Sequence, residues 1–126
     1  MEDILKQRSE AYARRRKIVW AEQLGVGVHG VVRVAEDNVN FARFAVKIHE
    51  GAAAYRRERA IYERLRENDV VTLRGFNVPQ LLGWDDGCCA VEMTIVARPF
   101  VLDFAGAWLD QAPEFSPEAW AYWEEE

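Results

Sequence analysis

Apolar and polar positions alternate with two different periods along this chain, and each period predicts its own kind of element. Residues 4–17 have a helix-forming composition without glycine or proline, which predicts a surface helix. From Ile18 the character changes. Ile18-Val19-Trp20 leads through Ala21-Glu22-Gln23-Leu24 to glycines at 25, 27 and 30. A β-branched run over 31–35 follows and closes on the turn formers Glu36-Asp37-Asn38, and residues 41–49 form a third strand-like run. Three strands with glycine and asparagine punctuation predict an antiparallel meander.

Residues 52–67, after Gly51, carry the clearest helical pattern. Ala54, Ile61 and Leu65 recur on one face, charges fill the other, and Asn68-Asp69 ends the run. A connection containing Gly75 and Pro79 leads to a strand over 80–84. Asp85-Asp86-Gly87 reads as a hairpin turn, with the returning strand over 88–96. Three strands, one helix and two strands predict an α+β fold with a five-stranded antiparallel sheet. Pro99 breaks the last strand, and residues 103–109 read as a short helix. Ser116-Pro117-Glu118 then starts a helix that carries Trp120, Tyr122 and Trp123 to the last residues and reads as unfinished. The expected organisation is a helical extension over 1–17, a sheet-and-helix domain over 18–97, and a C-terminal helical segment over 98–126.

Composition narrows the function classes. Of the 126 residues half are apolar and 12% aromatic, which is a folding composition rather than a disordered one. The net charge of −5 argues against nucleic acid as a partner, since phosphate backbones call for a basic face. The basic run from Lys6 to Lys17 reads as a solvated helix face. Cys88 and Cys89 are adjacent and fit neither a redox pair nor a zinc knuckle, so they are expected as small residues in a reducing compartment. The acidic Met1-Glu2-Asp3 opening does not resemble a secretory signal, and no apolar run nears the ~18 residues of a membrane span, so a soluble, cytoplasmic chain is expected.

Candidate chemistry starts at Gly25-Val26-Gly27-Val28-His29-Gly30-Val31-Val32, which has the pattern G-x-G-x-x-G-x-V. In a dinucleotide fold such glycines would open a helix, but Val31-Val32-Arg33-Val34 suits a strand, so a hairpin is expected. The second element is Phe44-Ala45-Val46-Lys47-Ile48. In a strand Ala45 and Lys47 share one face and Val46 and Ile48 the other. A lone strand lysine ordinarily faces solvent. The third element is Glu58, which has Ala54, Ile61, Tyr62 and Leu65 at helical spacing around it. A carboxylate within an apolar stripe needs a partner, and Lys47 is the available cation. The other placement turns Glu58 outward at the edge of the stripe.

Glycine hairpin, strand lysine and helical glutamate, in this order, resemble the small, ATP-binding lobe of the protein-kinase-like superfamily in a divergent form. The likeness covers roughly residues 20–95. It implies that Gly25, Gly27 and Gly30 lie over the phosphates of ATP, and that Glu58 orients Lys47 onto them as the αC-type glutamate. It also implies that Val32 and Ala45 enclose the adenine, that Val91 stands near the gatekeeper position, and that Glu92 and Thr94 lie on a hinge segment offering backbone groups to the base. Residues 98–126 then become the hinge and the start of a truncated large lobe. The sequence departs from the family in the short connection after Lys47 and in the composition of residues 94–104.

The catalytic motifs of that family are not visible. His29 and His49 are the only histidines and neither is followed by Arg-Asp, while Asp103-Phe104-Ala105-Gly106 reads as a helix start rather than a metal-binding D-F-G. No catalytic or metal-ligating residue is therefore expected in this chain. Weak ATP binding is expected, with Mg²⁺ held only if a large lobe is supplied, and no phosphoryl transfer by the chain alone. A large lobe from another chain, or a second copy meeting an apolar surface near Trp108, Trp120 and Trp123, is the expected partner. The alternative is a protein-interaction module that keeps the fold and binds no nucleotide.

Overall fold

Strands of β-branched and aromatic residues fold back on one another through short polar turns, and one helix lies against each face of the resulting sheet. The computed structural model describes residues 2–26 and 30–97. The expectations for Gly27, for His29, and for the hinge and helical segment over 98–126, with their tryptophans, fall outside these residues. The order is α1 (Glu2–Arg16), β1 (Ile18–Val26), β2 (Gly30–Asp37), β3 (Arg43–His49), α2 (Ala52–Glu67), β4 (Thr72–Leu73), β5 (Phe76–Asn77), β6 (Leu81–Asp85) and β7 (Ala90–Met93). Five strands form one sheet in the order β1-β2-β3-β7-β6, with every neighbouring pair antiparallel. The fold is α+β. The returning strand is shorter than the sequence suggests, because residues 86–89 form the turn and pairing stops after Met93.

β3 is the central strand and every residue from Phe44 to His49 is buried. Its alternation divides the core. Phe44, Val46 and Ile48 join Leu5, Tyr12, Ile18, Val31, Ala35 and Ala90 on the α1 side. Ala45 joins Val32, Val91, Met93, Tyr55, Ile61 and Tyr62 on the α2 side. Burying an aliphatic or aromatic side chain contributes about 1.5–3 kcal/mol, so the two clusters together hold the sheet between its helices.

The run expected to be a solvated helix face does more than face water. Leu5, Ser9 and Tyr12 are buried, at i, i+4 and i+7, and Tyr12 stacks on Trp20 with ring centroids 6.2 Å apart. The arginines of α1 serve the fold. Arg8 donates to the carbonyls of His49, at 2.6 Å, and of Glu50. Arg15 meets Asp85 at 2.7 Å, and Arg16 reaches both Asp37 and Glu92. Arg14, Arg15 and Arg16 fill the last turn, where cations complement the helix dipole.

The connection after α2 contains an unforeseen element. β4 and β5 form a two-residue ladder closed by Arg74 and Gly75, at φ 52° and 83°. Left-handed values at both central positions are those of a tight hairpin turn, which glycine makes easy at the second of them. The hairpin turn before β7 carries a side-chain bond instead: Asp85 Oδ1 accepts from the Cys88 amide at 3.0 Å. Cys88 packs in the α1-side cluster and Cys89 in the α2-side cluster, and both are free thiols.

Candidate functional site

Gly25 lies in β1 and Gly30 opens β2, so neither of these glycines stands at the entrance to a helix. β1 pairs with β2 through Gly25↔Val32 and Val26↔Val31, with irregular register from Trp20 to Gly25. Gly30 opens β2 and pairs with His49 on its other side. A Cβ at Gly30 would lie 2.1 Å from the carbonyl oxygen of Ile48. That residue must be glycine for the β2–β3 pairing itself, whatever lies over the hairpin.

Lys47 sits directly between Val32 on β2 and Val91 on β7, and Ala45 between Val34 and Met93. Val32, Ala45 and Val91 therefore share the α2 face of the sheet with the lysine, as strand alternation requires. Met93, which the sequence reading did not single out, is the β7 residue opposite Ala45. Glu92 has its side chain on the other face, where Arg16 Nε lies 2.9 Å from its carboxylate. Burial pushes that carboxyl above its ordinary value. Thr94 follows β7, where its amide donates to the Gln80 carbonyl and its hydroxyl accepts from the Gln80 amide, each at 2.9 Å. The Thr94 N–H, expected to face a base, is thus engaged within the fold, and Glu92 lies in a strand bordered on both sides.

α2 forms because residues 52–67 combine helix formers with an apolar stripe, and Glu58 lies inside that stripe with Tyr55, Ile61 and Tyr62. Lys47 Nζ is 3.1 Å from the Glu58 carboxylate, and both side chains have zero exposure. The inward placement holds. Isolated, each charge would be strongly disfavoured here; together they satisfy one another in a low-dielectric setting.

The carboxylate has another partner. His49 Nε2 lies 2.6 Å from Glu58 Oε1, and His49 Nδ1 lies 3.1 Å from the Cys89 carbonyl. The signal was present in the sequence, since 45, 47 and 49 fall on one face of a strand. Tyr55 stands edge-on to the His49 ring with centroids 5.7 Å apart. Its hydroxyl donates to Asp86 at 2.5 Å, and Arg59 also reaches Asp86 while lying over the Trp84 ring. Burial first, then the bond to Asp86, pushes the Tyr55 phenol far above its ordinary value. Tyr55 was legible as well, because it precedes Glu58 by three positions on the helix.

A shallow groove of about 330 Å³ lies elsewhere, lined by Val71, Thr72, Asn77, Val78, Gln80, Val96 and Ala97. None of the residues expected to bind nucleotide lines it. Among the described residues, no group of three His, Cys, Asp or Glu side chains is arranged to hold a metal ion, and no helix is long and apolar enough to cross a membrane. Comparison with known proteins adds no relative: no family model, curated protein or solved structure matches the chain.

Proposed function

We propose that this chain is an ATP-binding small lobe of a protein-kinase-like protein, inactive in phosphoryl transfer until a large lobe supplies a base and Mg²⁺ ligands. One observation carries the reading: a strand ammonium and a helix carboxylate meet 3.1 Å apart on the sheet face behind a glycine hairpin. In phosphoryl-transfer sites of this kind such a pair directs lysine onto the α- and β-phosphates. Val32 and Ala45, on the same face, would border the adenine, and Met93 beside Ala45 becomes a better neighbour for the base than Val91.

The test is a titration of the isotope-labelled chain with ATP, followed by amide signals. Shifts at Gly25, Gly30, Val32 and Met93 with a midpoint of about 1 mM or weaker are expected, and Lys47→Met should remove them. No shift up to about 10 mM ATP would count against the reading.

A second reading is favoured by one specific observation. Lys47 has no exposed surface, and Glu58 and His49 are equally enclosed. An ammonium so covered serves the packing of α2 on the sheet without any ligand, as in a protein-interaction module on this fold. The same titration separates the two.

A further inference from the structure

The His49 ring is fully buried, and both of its nitrogens have partners that constrain its protons. Nδ1 lies 3.1 Å from the Cys89 carbonyl oxygen, which also accepts the His49 main-chain amide at 2.9 Å. A carbonyl oxygen only accepts, so Nδ1 carries a hydrogen in this contact. Nε2 lies 2.6 Å from Glu58 Oε1. Two lone pairs repel at that separation, so a hydrogen lies between them as well. A neutral imidazole has only one N–H, and Nδ1 already holds it. The second hydrogen belongs to the pair, either as imidazolium facing carboxylate or as imidazole accepting from a carboxylic acid. Both forms contain the same number of protons.

We infer that His49 and Glu58 share one proton inside the fold, and that this proton fastens β3 to α2. The inference goes beyond the nucleotide reading and does not depend on it. The surrounding groups come from four elements. Lys47 on β3 meets the same carboxylate, and Tyr55 on α2 offers its ring edge while its hydroxyl points to Asp86. Cys89, in the turn before β7, provides the carbonyl, and Arg8 on α1 donates to the main-chain oxygen of His49. Without that proton the Nε2 lone pair would face an ionised carboxylate across 2.6 Å, a repulsive contact that would weaken the hold of α2 on the central strand.

Long-range ¹H–¹⁵N spectra of the labelled, unmodified chain read the ring nitrogens directly, with a His29→Gln variant assigning the two histidines. At about pH 6.5, His49 should show a protonated Nδ1 and a second hydrogen shared at Nε2. A bare Nδ1 with hydrogen on Nε2 alone would overturn the inference. A protonated Nδ1 with no hydrogen at Nε2 would overturn it as well.

Discussion

Arg16, the last residue of α1, lies over the Phe44 ring and donates to Glu92, 76 positions further along the chain, at 2.9 Å. This contact fastens the N-terminal helix to β7 on the face opposite Lys47. It also gives a mostly buried carboxylate its cation.

Removing that cation should matter more than removing its neighbour. Arg16→Ala should lower stability by about 1–2 kcal/mol, allowing for its partly exposed guanidinium, while Arg14→Ala stays within about 0.5 kcal/mol. Burial raises the folded carboxyl of Glu92, so the folded chain takes up a proton there more readily than the unfolded one. The deficit of Arg16→Ala should therefore be largest above the carboxyl range and shrink as pH falls and Glu92 becomes neutral. Urea midpoints at several pH values measure both effects.

The buried pair on the other face should show strong coupling. Lys47→Ala leaves the Glu58 carboxylate without its ammonium and should cost about 3–5 kcal/mol. Lys47→Met combined with Glu58→Leu should lose clearly less than the two single changes added together, because neither charge is then stranded. Additive losses in a double-mutant cycle would contradict direct coupling.

Tyr55→Phe keeps the ring against His49 and removes the bond to Asp86. A loss of about 1 kcal/mol is expected, reduced by the exposure of Asp86. The same bond predicts a spectroscopic effect. The Tyr55 phenol should remain un-ionised in alkali that titrates an ordinary tyrosine, and Tyr55→Phe should remove its share of that lag.

Two glycines should respond in opposite directions. Gly30→Ala brings a methyl group against the Ile48 carbonyl and should cost more than about 3 kcal/mol. Gly51 caps α2 in an extended conformation without a side-chain bond, and a Cβ there meets nothing within 4 Å. Gly51→Ser should supply the missing cap and add a few tenths of a kcal/mol, roughly 0.3. Thermal midpoints of the two variants test the contrast.

Asp37 fastens the turn between β2 and β3. Its Oδ1 accepts from the amides of Val39, at 2.7 Å, and Asn40, and Arg16 meets Oδ2. The Val39 bond first, then that of Asn40, holds its carboxyl below the usual 3.8. A lowered folded value contributes stability above the unfolded value that disappears as pH falls through the folded one. The advantage of the parent over Asp37→Ala should therefore be full at neutral pH and vanish in strong acid, as judged by urea midpoints across that range.

Local patterning was enough to determine the meander, the extent of α2, the hairpin before β7, and the lysine and glutamate that meet across them. Each of these follows from a period of two or 3.6 together with a costly buried charge, and such signals are carried by residues near one another in sequence. Only the tertiary structure decided that β7 lies beside β3, which puts Val91 and Met93 next to Lys47 and Ala45 and turns the Glu92 carboxylate to the opposite face. It alone decided that α1 covers a face of the sheet, because the buried stripe of that helix includes Ser9 and its arginines find acids and carbonyls far along the chain. It also brought His49 to Glu58. Strand alternation aims the imidazole, but the carboxylate arrives from another element, and no local pattern records which buried group will meet it.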